Sequence, residues 1–132
     1  MADFEIVEHR VHVGELTFNV AEIGSGPPVI LLHGWPDSWR LWREQMVALA
    51  QQGHRVIAPD LRGFGDSDHP EAVEEYSMST LIGDVVAIMD EFRIERATVV
   101  GHDWGQRWRG AERVADDRIG AVRLGTLVLR AD

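Results

Sequence analysis

Apolar and polar residues alternate along FEIVEHRVHV, residues 4–13, and again along LTFNVAEIG, residues 16–24. Only Gly14 and Glu15 separate the two runs. A period of two sends successive side chains to opposite faces of a strand, so the pair predicts an antiparallel hairpin, half exposed. GSGPP then reads as a turn. The pattern changes at VILLH, residues 29–33, which is continuously apolar, as in a strand covered on both faces. HGWPDS interrupts it. Ser38 is placed to cap a helix running to about Gln52, with Trp39, Trp42, Met46 and Leu49 on one stripe. Gly53 stops that helix. HRVIAPD predicts the next strand and LRGFGDSDHPEAVEEYS a long loop. Leu81, Val85, Ile88, Met89 and Phe92 recur at helical spacing from about Ser79 to Phe92. ATVVG is a further strand, closed by the turn GHDWG, residues 101–105.

The order is hairpin, then strand, helix, strand, helix, strand. That alternation predicts an α/β fold: a mostly parallel sheet with an N-terminal antiparallel hairpin and helices on both faces. After Gly105 the pattern degrades. A helix should follow, but Trp108, Ala111 and Ala115 form a ragged stripe interrupted by Gly110 and several arginines. AVRLGTLVL predicts a last strand, with Gly125 inside it.

At 132 residues the chain is one domain or part of one. It has no cysteine, which excludes disulfides, thiolate chemistry and zinc–cysteine sites. The histidines are scattered and lack ligand spacing, so neither a metal nor another cofactor is expected. A net charge of −9 disfavours nucleic acid and anionic membrane as partners. The N-terminus has no signal-peptide core, and no apolar run reaches membrane-spanning length, so a cytoplasmic protein is expected. Residues 1–105 hold 18 acids and 7 arginines, whereas residues 106–132 hold 4 acids and 6 arginines.

Candidate chemistry lies where strands end, because reactive groups of α/β sheets collect at those edges. GHDWG has the form of a nucleophile elbow, with Asp103 at its centre and Gly101 and Gly105 permitting close backbone approach. A carboxylate is already ionised at neutral pH and can attack carbon without a base. The competing structural role is an aspartate capping the following helix. HGWP, residues 33–36, follows the VILLH strand. In that context the amides of Trp35 and Trp104 are candidate oxyanion donors, with His33, Gly34 and Pro36 shaping the supporting loop. The competing role for HGWP is a simple Gly–Pro turn. In PDLRGFGDSD, residues 59–68, Arg62 and the aspartates are expected to form structural ion pairs.

Together LLHGWPDSWRLWREQM, APDLRGFGDSD and VVGHDWG resemble the N-terminal half of the α/β-hydrolase family, in its epoxide hydrolase and haloalkane dehalogenase branch. The resemblance covers roughly residues 4–105. It implies Asp103 as the nucleophile, an alkyl-enzyme ester, and a small apolar epoxide or a halogenated compound as substrate. The aromatic residue in HGWP is more like epoxide hydrolases, while Trp104 matches a halide-holding position of dehalogenases, so both chemistries stay open. His102 matches a position taken as structural.

The resemblance also implies a late histidine that activates water, and a lid with two ring-activating tyrosines. The six histidines are His9, His12, His33, His54, His69 and His102, and none follows Gly105. The only tyrosine is Tyr76. The expectation is therefore residues 1–132 as the N-terminal part of a hydrolase domain without a lid, inactive alone. Its tail, 106–132, is divergent or frameshifted: one base out of frame, the codons of the residues after the elbow can encode Ala-Ala-Val-Ala-Trp. A non-catalytic relic or binding module is the other reading. An apolar sheet edge, left bare, predicts self-association or pairing with a separately encoded C-terminal half.

Overall fold

The computed structural model describes residues 4–34, 37–70, 78–102 and 126–130. Six strands form one mixed sheet in the order β1-β2-β4-β3-β5-β6. They are β1 (Val7–Val13), β2 (Leu16–Gly24), β3 (Pro28–Leu32), β4 (Arg55–Pro59), β5 (Thr98–His102) and β6 (Thr126–Arg130). The central strands β4, β3 and β5 run parallel. The flanking pairs β1–β2, β2–β4 and β5–β6 are antiparallel. Helices α1 (Arg43–Gln51) and α2 (Met78–Glu91) connect the parallel strands.

The hairpin register turns on Gly14, which takes φ +60, a left-handed conformation that glycine reaches without strain. Sequence alternation predicted β2 half exposed, but Phe18 to Ala21 are all buried. The reason is tertiary. β2 lies between β1 and β4, and both of its faces are covered. Phe18 and Val20 join Ile30, Leu32, Ile57 and Val99 beneath Ile82, Val85, Ile88 and Met89 of α2. Ala21 and Ile23 join Val29, Leu31, Val56 and Ala58 beneath Met46 and Ala50 of α1. Alternate residues of the same strand thus feed two cores, which requires continuous apolar runs such as VILLH.

The first predicted helix starts as a 3-10 turn, Trp39–Trp42, before continuing as α1. Ser38 caps it in extended conformation, its hydroxyl accepting from the Arg40 amide at 3.4 Å. Trp39, Trp42 and Met46 are buried as the stripe predicts; Ala50 is the next fully buried position, with Leu49 only partly buried. Helix α2 stops where Arg93 turns left-handed at φ 57, and the Ile94 amide reaches back to the Met89 carbonyl at 2.8 Å. That i to i−5 bond satisfies a carbonyl the helix leaves free.

The expected helix after Gly105 lies outside the described residues. The expected last strand is realised as β6, which begins after Gly125 and pairs antiparallel with β5. No described helix is long and apolar enough to cross a membrane.

Candidate active site

The chain leaves β3 for β4 on one side and later returns to β5 on the other, with α1 and α2 on opposite faces. Such a reversal opens a crevice at the carboxyl ends of the strands. The β3–β5 register pairs Leu32 with Gly101. Parallel neighbours lie about 5 Å apart, so the segment beginning at His33 and the one beginning at His102 leave the sheet side by side. Both predicted motifs therefore start at one point of the sheet edge. Gly101 is the buried penultimate residue of β5. Asp103, Trp104 and Gly105 lie outside the described residues, as do Trp35 and Pro36.

His33 is fully buried and ties this edge together. Its Nε2 lies 3.0 Å from the Leu61 amide nitrogen. An amide N–H can only donate, so Nε2 accepts and the ring proton resides on Nδ1, which donates to the Gly34 carbonyl at 2.8 Å. Burial pushes the imidazole below its ordinary value; the Gly34 bond and the charges of Asp60 and Asp37 oppose that shift. The imidazole is thus neutral and engaged at both nitrogens. The Gly34 carbonyl also accepts the Asp37 amide at 2.9 Å.

The loop after β4 is organised by a side chain that sequence reasoning grouped only among ion-pairing aspartates. Asp60 is fully buried. Its Oδ1 accepts the Trp39 amide at 2.8 Å, and its Oδ2 accepts the Asp66 amide at 3.0 Å and the Asn19 side-chain amide at 3.3 Å. The Ser67 hydroxyl donates to the Asp60 carbonyl at 2.6 Å and accepts the Asn19 amide at 2.8 Å. Gly65 sits at φ +52, and a Cβ there would run into the Asp60 carboxylate. The glycines of RGFGDSD were the legible signal of a tight loop; that the loop wraps a carboxylate was not. Phe64 meets the His33 ring edge to face, centroids 5.3 Å apart.

Arg62 makes an ion pair, as expected of it, with Asp84 on α2. Its Nε and Nη2 donate to the two carboxylate oxygens at 2.7 and 2.8 Å. Both side chains are buried, and burial raises the Asp84 carboxyl above its ordinary value despite the opposing guanidinium. The pair fastens the loop to the helix that covers it. Among the described residues no three His, Asp or Glu side chains converge as metal ligands would.

Comparison with known proteins agrees with this architecture. Residues 27–105 match the family model described as alpha/beta hydrolase fold. Over 102 residues the chain is 45% identical to epoxide hydrolase 2 of Siraitia grosvenorii, covering 76% of this chain and 32% of that protein. It is 39% identical to an epoxide hydrolase of Caballeronia sordidicola, covering 89% of this chain and 36% of that one. The crystal structure of the epoxide hydrolase VrEH1 from Vigna radiata superposes with a TM-score of 0.73 at 44% identity, over 76% of this chain and 31% of that one. The chain spans about a third of the length of these relatives. With parallel central strands between two helical layers, and with this match over residues 27–105, the chain belongs to the α/β-hydrolase fold family.

Proposed function

We propose that this chain is the nucleophile-bearing part of an epoxide-hydrolase-like α/β hydrolase. The observation that carries the reading is the register Leu32 to Gly101, which brings the starts of HGWP and HDWG to one point of the sheet edge. On this reading the amides of Trp35 and Trp104 hold one oxygen of Asp103 and leave the other aimed at an epoxide carbon. A bond forms between that oxygen and the carbon, the ring C–O bond breaks, and the ring oxygen takes a proton from water. The product is an alkyl ester of Asp103. Breaking that ester needs an activated water, and no histidine follows Gly105 to supply one. On this reading these residues supply the nucleophile and the alkylation step, as the N-terminal part of a hydrolase domain.

Incubation with styrene oxide followed by intact-mass measurement tests this. One stoichiometric adduct is expected, mapping to Asp103 and abolished by Asp103→Asn. No adduct would overturn the nucleophile. Trp104 keeps halide displacement as the second chemistry, read by bromide release from a bromoalkane. The proposal extends to self-association through the β6 edge, which has no neighbour beyond it among the described strands.

A further inference from the structure

Two consecutive residues of the loop after β4 are each held by a buried titratable side chain from a different element. The Leu61 amide donates to His33 Nε2 at the end of β3, at 3.0 Å. The Arg62 guanidinium grips both oxygens of Asp84 on α2, at 2.7 and 2.8 Å. Phe64 closes on the His33 ring. The loop is pinned on either side of these holds. Before them, Asp60 takes the Trp39 amide at 2.8 Å. After them, the Asp68 amide donates to the Thr17 carbonyl at 2.9 Å, and Asp68 Oδ2 accepts the Thr17 amide at 2.8 Å. The Leu61 side chain lies in the core under α2, so any movement starts after it. Gly63 stands at φ +85 within the span, a conformation from which glycine departs at little cost.

We infer that residues 62–64 are an acid-released segment of the sheet edge, held down while His33 is neutral and Asp84 is ionised. Acid acts on both holds in the same direction. A proton on His33 Nε2 removes the acceptor of the Leu61 amide and sets two N–H groups against each other. A proton on Asp84 leaves the Arg62 guanidinium buried beside a neutral acid, which burial strongly disfavours. The charges that face His33 are Asp60 and Asp37, and both favour its protonation. The charge that faces Asp84 is Arg62. Strand β1 also packs on α2, but its His9 lies against Phe92 and Glu22, past the end of the helix, where Glu22 also holds Arg55. Burial keeps His33 below its ordinary 6.5, so that hold is complete above this value and is lost as pH falls through the folded value. Burial raises Asp84 above its ordinary 3.8. The folded chain therefore takes a proton at Asp84 more readily than the unfolded one, and that uptake favours the fold. The cores stay packed while Arg62 turns outward, so the release is local.

The test is amide hydrogen exchange of the full chain from about pH 7.5 to about pH 5, read residue by residue by NMR and corrected for the intrinsic rate at each pH. Protection of Leu61, Gly63 and Phe64 is expected to fall about tenfold or more across that range, while Ile30 and Ile57 in the sheet stay within about twofold. Asp84→Asn keeps the shape and removes the charge, so it should lower the protection of Gly63 and Phe64 already at neutral pH. Protection of the segment at the level of the unmodified chain in that variant would overturn the inference. Loss of protection by segment and sheet together in the unmodified chain would also overturn it. Arg62→Met combined with Asp84→Leu, which removes both buried charges at once, is the second variant. It should fold with the segment protected and confine the remaining pH response to the Leu61 amide. A response at Gly63 and Phe64 equal to that of the unmodified chain would refute the acid release.

Discussion

At the scale of single residues, the carboxyl edge of the sheet is governed by two buried polar groups, His33 and Asp60. Each is stable there because every bonding atom named has a partner, as burial of a polar group demands. His33 has a definite pH signature. Its folded value lies below the ordinary one, so its contribution is complete above the unfolded value near 6.5 and is lost as pH falls through the folded value. Thermal stability is therefore expected to decline on acidification below about pH 6.5, read by scanning calorimetry across pH. His33→Ala should cost about 1–3 kcal/mol at neutral pH, from the stranded Leu61 amide, and should flatten that part of the profile. A variant with an unchanged slope would show that another group sets the dependence. The identity of HGWP and GHDWG as strand-end motifs was legible from residue types alone. The role of Asp60 was not, because its donors come from Asn19, Trp39 and Asp66, far apart in sequence.

At the scale of elements, apolar periodicity located the hairpin, β3, β4, α1, α2 and β5 closely, since each pattern matched the geometry of its element. What periodicity misjudged was the exposure of β2, because burial of a strand depends on its neighbours in the sheet. Element ends also escaped it. The stop of α2 at Arg93 has no glycine to announce it, and the residue holds φ 57 at some cost. Left-handed backbone costs an ordinary residue about 1 kcal/mol, and glycine avoids most of this. Arg93→Gly is accordingly expected to stabilise the fold by about 0.5 kcal/mol, measured as the urea midpoint at unchanged slope. A loss of stability would show that the guanidinium makes a contact worth more than the strain.

At the scale of the whole molecule, the sheet carries a different liability at each edge. On β1 the outer strand bears Glu8, His9, Arg10 and His12, charges and titratable groups that discourage pairing with another chain. The β6 strand, TLVLR, carries a single charge at its end. Association through β6 is therefore expected to depend on concentration, and Val128→Lys should shift the chain toward monomer in light scattering coupled to gel filtration. A monodisperse monomer at every concentration for the unmodified chain would overturn this. A net charge of −9 is not expected to prevent that association, because the excess acids lie in residues 1–105 while β6 carries only Arg130.

The sequence by itself determined the order of strands and helices through β5 and the two-faced burial of β3. These are local properties: periods of two and 3.6, and turn residues. Only the tertiary structure decided that β3 takes β4 and β5 on opposite sides, that Leu32 meets Gly101, that Arg62 reaches Asp84, and that Asp60 gathers the amides of Asn19 and Trp39. Those are pairings between residues tens of positions apart. No local pattern encodes a partner, and the choice is made when two faces of one sheet must both be covered and every buried polar atom must be satisfied.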